Sequence, residues 1–132
     1  MNNHKYIIIG NGMAGITAAQ TIRDGDQSGR ILIISDEGAP FSRGIAFYYR
    51  AAMSEWLSGE IADDALIGRT EEFYQQMALE TLEGHVTRVE PAAHTLYMAN
   101  GEKLGYEKLL IATGARANRF PVDVRPSATG EW

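Results

Sequence analysis

Cysteine is absent from this chain of 132 residues, which excludes structural disulfides, thiolate metal sites and a redox disulfide formed within it. Long hydrophobic runs are absent too. The longest are four or five residues, against the ~20 that a bilayer span needs. No block of like charge occurs and the net charge is −5, so neither nucleic acid nor a membrane surface is an expected partner. No charged n-region, apolar h-region and cleavage site open the chain, so no secretory signal is expected and the cytoplasm is the expected compartment. Repeats, low-complexity stretches, a nucleophile elbow, a zinc motif and a P-loop lysine are all missing. The three histidines, His4, His85 and His94, lack metal-ligand spacing. Each is expected at an exposed or edge position, with no metal site. What remains is an ordinary globular composition, 45% apolar and 22% charged, of a size for one domain.

The informative residues come first in the chain. Tyr6-Ile7-Ile8-Ile9 is a short apolar run, followed at once by Gly10-Asn11-Gly12-Met13-Ala14-Gly15 and the helix-like Ile16 to Arg23. Strand, G-x-G-x-x-G and helix stand in the order that a dinucleotide site needs. Gly10 permits the tight turn, Gly12 lets a pyrophosphate approach the backbone, and Gly15 lets the helix lie close on the strand. The helix N-terminus offers free N–H groups and its positive dipole end to the phosphates. Gly25 to Gly29 end the helix, and Ile31 to Ser35 form a second buried strand, parallel to the first by the right-handed crossover. Asp36-Glu37 follow it, about 20 residues after Gly15, where an acidic group bonds a ribose hydroxyl. A turn residue is the alternative reading of Asp36.

Further on, Gly38-Ala39-Pro40 breaks the chain. Apolar residues at 45, 49, 52, 53, 56 and 57 make a helical stripe from Ile45 to Leu57, whose aromatics Tyr48, Tyr49 and Trp56 read as packing. Gly59 to Gly68 reads as a polar loop. Its Asp63-Asp64 pair has no third group with which to do acid–base chemistry. Thr70-Glu71-Glu72 starts a helix, with Phe73, Tyr74 and Met77 on its apolar face. Leu79 to Leu82 reads as a third parallel strand. His85 to Glu90 and Thr95 to Ala99 alternate, Asn100-Gly101 marks a turn, and Leu104 to Tyr106 adds a third short strand to an antiparallel β-meander insert. Lys108 to Ala112 is a buried strand ending in Thr113-Gly114. The expected fold is α/β: a Rossmann-like βαβ domain over 1–120, with parallel strands near 5–9, 31–35, 79–82 and 108–112. The meander spans 85–106, and an irregular tail covers 121–132.

Four segments resemble the FAD-dependent pyridine nucleotide–disulfide oxidoreductases and their disulfide-free relatives. They are Ile8 to Gly15, Ile34 to Glu37, Phe41-Ser42-Arg43, and Tyr106 to Ala115, the last similar to the family's Y-D-x-L-L-I-A-T-G segment. The cysteine-free Ser42-Arg43 start is most similar to the nitrite reductase large subunit, rubredoxin reductase and NADH-oxidase subgroup. The resemblance implies FAD, with its pyrophosphate on Gly10, Gly12, Met13, Ala14 and Gly15 and its adenosine ribose at Asp36 or Glu37. It further implies Arg43 near the pyrophosphate or flavin, the Val86 backbone at the adenine, and Ala112, Thr113 and Gly114 near the ribityl-pyrophosphate. Arg43 also reads as a plain loop arginine, and Val86 as core.

The resemblance has gaps. The family's second G-x-G-x-x-G for NAD(P)H, its Gly-Asp return segment and its dimerisation domain are not found here. Gly44 stands where proline is usual after the arginine, and Tyr48 where a lysine is common. The expected function is therefore the N-terminal FAD-binding portion of an NAD(P)H-dependent flavoprotein oxidoreductase, weak or inactive as this chain alone, with NAD(P)H as co-substrate once the missing domain is supplied. The alternative is a non-catalytic FAD, NAD or ADP-binding sensor or subunit. A homodimer or a larger redox complex is the expected assembly.

Overall fold

The computed structural model describes residues 2–37, 47–116 and 118. The β-branched run at the N-terminus forms strand β1 (Asn2–Ile9), helix α1 spans Met13–Gly25, and β2 spans Ile31–Ser35. β1 and β2 pair in parallel, Ile7 with Leu32 and Ile9 with Ile34. Ile7, Ile8, Ile31, Ile33 and Ile34 are all at most 1% exposed, because both faces of these strands are covered. Each such side chain contributes about 1.5–3 kcal/mol of burial free energy.

The main sheet has six strands in the order β5-β2-β1-β8-β7-β6. β5 (Leu79–Glu83) lies parallel to β2, as the sequence predicts. β6 (Val86–Glu90) and β7 (Thr95–Met98) are antiparallel to each other. β8 is one strand, Lys103–Ile111, not the two that the sequence suggests. Its first residues pair antiparallel with β7, Leu96 opposite Leu104, and its whole length runs parallel to β1, Ile7 opposite Leu109. The meander is therefore continuous with the parallel sheet. Its Leu96, Met98 and Leu104 pack with Ile7, Leu32 and Ile34 in one cluster. On the opposite face, Ile8, Ile31 and Ile33 pack with Ile16 and Ala19 of α1 and with Tyr74 of a later helix.

The segment between β2 and β5 departs most from expectation. The helical stripe from Ile45 to Leu57 forms a helix only at its C-terminal end, within its described part. Phe47–Tyr48 is a strand, β3, followed by a 3-10 turn at Arg50–Ala52 and a short helix α2, Met53–Leu57. The polar loop expected over 59–68 contains a one-turn helix, α3 (Asp63–Leu66), and the start of β4 (Ile67–Arg69). β3 pairs antiparallel with β4, Phe47 with Arg69 and Tyr48 with Ile67. This contact over twenty residues of chain outweighs the local 3.6-residue period. Gly68 makes room for the Phe47 ring, since a Cβ there would lie 2.5 Å from Phe47 Cδ1. Phe47 and Tyr49 meet edge to face at 5.4 Å. Trp56 is 36% exposed and donates from Nε1 to Asp63 Oδ1 at 2.8 Å. Helix α4 (Glu71–Gln76) begins after Thr70, as read from the sequence, and Tyr74 is its buried residue.

Two further corrections concern burial. β8 ends at the surface, with Leu110 37% and Ile111 60% exposed, so it is not buried throughout. The reason is topological: β7 covers only the N-terminal part of its outer edge. His4 is 3% exposed, not at an edge. Its Nε2 lies 3.2 Å from Glu80 Oε2 and 3.1 Å from Arg30 Nη2, and these two long side chains cover it. His85 and His94 are exposed.

Arg23 ties the helix layer to the sheet. It is 7% exposed, and its guanidinium donates to the carbonyls of Met77, Asp26, Gly29 and Ala78 at 2.7–3.1 Å. Ala78, at φ 47°, turns the chain from α4 into β5, and Arg23 satisfies the carbonyls that this turn leaves without partners in a ladder.

Candidate functional site

The carboxyl ends of the four parallel strands lie along one edge of the sheet. Ile9 stands between Ile34 and Ile111, and Ser35 is paired with Glu83. From β1 the chain goes to β2 on one side, while β8 flanks it on the other. A crevice at such a switch in strand order is where open α/β sheets bind ligands.

The glycine turn occupies this crevice. Gly10 has φ +114°, which a side chain rarely adopts, and a Cβ on it would fall on the Ala112 carbonyl, 2.7 Å from its carbon. The contact is close because the Gly10 N–H donates to Ile34 O and the Ala112 N–H to Ile9 O, both at 2.8 Å. Two segments a hundred residues apart thus meet at the end of β1. Gly15 is buried against the Gly10 carbonyl oxygen, where a Cβ would collide, and it would stand 3.3 Å from Ile8 Cγ2. Gly12 differs from both. A Cβ there would meet nothing within 4 Å, so the protein's own packing does not demand glycine. Open space over an extended backbone is what a pyrophosphate needs in order to approach. Gly12 is also the N-cap of α1, without a side-chain cap and without an acidic residue in the first turn. The helix end is left to an anion. Met13, 57% exposed, and Ala14, also exposed, flank it. These features fit the diphosphate of a dinucleotide.

Asp36 and Glu37 follow β2 and are exposed. Neither carboxylate stands alone. Asp36 Oδ2 lies 3.1 Å from His85 Nδ1, and Glu37 is ion-paired with Arg50. Val86 begins β6 and is half-buried, packed against the cluster under the meander. Gly84 and His85 lead into it, and the Gly84 N–H donates to Ser35 O at 2.9 Å, which draws the meander's start to the end of β2. Beyond β8, Ala112 is half-buried, Thr113 is exposed and Gly114 has φ +73°. The fold thus gathers Gly10 to Gly15, Asp36, Glu37, Val86 and Ala112 to Gly114 at one edge. Arg43 and Ser42 lie outside the described residues, as does the tail at 121–132.

Four residues near the site carry no motif signal. His85 and Arg50 hold the two acids. Asn11 accepts a 2.7 Å hydrogen bond at Oδ1 from the Tyr74 hydroxyl. Burial pushes the Tyr74 phenol up to about 12, against the opposing pulls of Asn11 and the Arg69 charge, so it remains a donor at neutral pH. Asn11 falls at a variable position of the glycine motif, and Tyr74 reads in sequence only as an apolar-face residue.

Known proteins resemble this chain over most of its length. The family model for pyridine nucleotide-disulphide oxidoreductases matches residues 4–130. The ferredoxin–NAD(+) reductase component of a 3-phenylpropionate/cinnamic acid dioxygenase from Photorhabdus laumondii is 36% identical over 124 residues, 92% of this chain and 30% of that protein. Rubredoxin-NAD(+) reductase of Pseudomonas putida is 30% identical over 116 residues, 86% of this chain and 29% of its own length. Among solved structures, NADH:rubredoxin oxidoreductase from Clostridium acetobutylicum superposes with a TM-score of 0.78 at 26% identity, over 92% of this chain and 30% of that one. The chain spans under a third of the length of these relatives. With a match over nearly all its residues and the glycine turn built as described, this chain belongs to the pyridine nucleotide-disulphide oxidoreductase family.

Proposed function

We propose that this chain binds the ADP half of FAD and serves as the FAD-binding portion of an NAD(P)H-dependent oxidoreductase that passes electrons to a separate acceptor. The observation that carries the reading is the open space over Gly12 at an uncapped helix end, beside two glycines that packing does demand. The diphosphate lies on the N–H groups of Gly12 to Gly15, and the ribose on Asp36 or Glu37. The adenine meets the Val86 backbone, and Ala112 to Gly114 line the path toward the flavin. The family resemblance adds Arg43, outside the described residues, as a cation for the pyrophosphate or the flavin. FAD, when bound, supplies the hydride and electron chemistry, while these residues bind and orient it.

The acceptor is read by analogy. Relatives are named for ferredoxin and rubredoxin reduction, so a small redox protein is the proposed partner class. The 132-residue chain covers 30% of the ferredoxin–NAD(+) reductase component it resembles, and turnover by this chain alone is expected to be weak or absent. The same open cradle over Gly12 also serves a second reading, a nucleotide-binding subunit without its own catalysis. An NAD-only Rossmann domain is disfavoured by the meander fused to the parallel sheet. From Glu107 to Ile111, β8 has a strand neighbour on one side only among the described residues, which supports pairing with a second copy.

Reconstitution with FAD followed by desalting tests the reading. Retained flavin absorbance supports it. A colourless protein that binds ADP or NAD by calorimetry supports the second reading, and a protein that binds none of the three refutes both. Robust NADH oxidation by the FAD-loaded chain alone would overturn the expectation of weak turnover.

A further inference from the structure

The glycine turn is held from below by a residue outside the motif. Tyr74 is 2% exposed, and its ring packs in the cluster that contains Ile8 and Ile16, the residues flanking the turn on β1 and α1. Phe73 meets it edge to face at 5.8 Å. A ring fixed on this much of its surface holds its hydroxyl in place, and the hydroxyl donates to Asn11 Oδ1, 2.7 Å away and 63 residues earlier in the chain. Asn11 stands between Gly10, with its left-handed φ of +114°, and Gly12, the extended N-cap. Both neighbours lack a Cβ; the Gly10 N–H is tied to Ile34 O and the Gly12 carbonyl to the Ile16 N–H, and the Asn11 side chain adds a handle on the peptides between them. A protonated phenol under that handle holds the turn in the form that leaves Gly12 open.

We infer that Tyr74 is a positioning residue for the diphosphate cradle: its hydroxyl, through Asn11, fixes the orientation of the Gly10–Gly12 backbone before ligand binds. The inference rests on the dinucleotide reading and deepens it. The cost of ordering a flexible loop is met in the folded protein, so affinity rises with no contact between Tyr74 and the ligand. The effect is confined to ligands that use the cradle. A diphosphate feels it, whereas an adenosine bound beside Asp36 and Val86 does not.

The test uses the full 132-residue chain, with ADP and adenosine as probes in parallel titrations followed by NMR, and with thermal unfolding of each protein. Tyr74→Phe keeps the ring and loses the hydroxyl. ADP binding is expected to weaken about 5–10-fold and adenosine binding to change less than about twofold, from the loss of one positioning hydrogen bond. Asn11→Ala, in the turn itself, gives the same pattern and serves if Tyr74→Phe folds poorly. The double variant is no weaker than about twofold beyond either single variant, because both remove one interaction. Equal weakening of ADP and adenosine, or an unchanged ADP affinity in both variants, overturns the inference and leaves the dinucleotide reading standing. A wild-type chain that binds neither ADP nor FAD removes the reading itself, and the inference with it.

Discussion

The carbonyl oxygen of Gly10 occupies the space where a Cβ on Gly15 would stand. The turn and the first helical turn behind it therefore touch backbone to side, and glycine at 15 is a packing requirement. Gly15→Ala is expected to destabilise the fold by about 1–3 kcal/mol through overpacking, read as a lower urea midpoint with unchanged m. Gly12→Ala meets open space. Its stability should stay within about 1 kcal/mol of wild type, while FAD and ADP binding fall together. A Gly12→Ala protein that binds FAD normally would show that the cradle lies elsewhere.

Arg23 satisfies four carbonyls on two segments, the α1–β2 loop and the turn from α4 into β5. Arg23→Met keeps much of the stem and leaves those carbonyls without their donor. A loss on the order of 2–4 kcal/mol is expected. Urea unfolding measures it, and a change under about 0.5 kcal/mol, the range of an ordinary surface substitution, would contradict the role.

Asp26 links the end of α1 to β1. Its carboxylate accepts from Lys5 Nζ at 2.7 Å, from the Gly29 and Ser28 N–H groups at 2.8 and 3.1 Å, and from the Tyr6 hydroxyl at 3.0 Å. The Lys5 ammonium, followed by these donors, holds the carboxyl well below the usual carboxylate range. A depressed folded-state pKa contributes stability that is complete above the unfolded value, about pH 4, and is lost as pH falls toward the folded value. Asp26→Asn should therefore be less stable than wild type at neutral pH, with a gap that narrows below about pH 4. Thermal unfolding across pH 2 to 7 reads it, and a gap that widens on acidification would reverse the assignment.

The two acids after β2 are separable. Asp36 stands at the motif spacing beside His85, while Glu37 is already engaged by Arg50. Asp36→Ala is expected to weaken ADP about tenfold and Glu37→Ala less than about threefold, as a ribose hydrogen bond to a charged acceptor implies. Calorimetry that finds the reverse order moves the ribose to Glu37.

The exposed end of β8 predicts concentration-dependent association of the chain. Leu110 and Ile111 are 37% and 60% exposed beside a strand edge with one neighbour among the described residues. Leu110→Lys together with Ile111→Lys places charge there, as natural edges do, and should return the protein to monomer by light scattering. A wild-type chain that is monomeric at every concentration counts against the edge as an association surface.

The parts legible in the sequence were those with local causes. The isoleucine runs Tyr6 to Ile9 and Ile31 to Ser35 carry strand propensity and burial together. Gly10-x-Gly12-x-x-Gly15 is a backbone requirement written in residue type, and Thr70-Glu71-Glu72 marks a helix start. The segment 47–69 was misread because β3 and β4 form only when each finds the other, and a helical period in one of them carries no information about its partner. The unity of β8 was hidden for a similar reason. Leu104 and Leu110 lie in one strand whose two ends have different neighbours, and only the sheet supplies those neighbours.

The site divides in the same way. Local chemistry named the glycines and the acids at 36 and 37, because turn conformation and charge belong to single residues, while the Ala112-Thr113-Gly114 end came from the family resemblance. What surrounds them was decided by the tertiary structure: Ala112 against Gly10, His85 against Asp36, Arg50 against Glu37, Tyr74 under Asn11. Each pair joins residues brought together by strand order and helix packing, and the free energy that selects them is shared across the whole core. The sequence by itself determined that a strand, a glycine turn and a helix follow one another at the start of the domain. The folded sheet decided which side chains hold that turn in place.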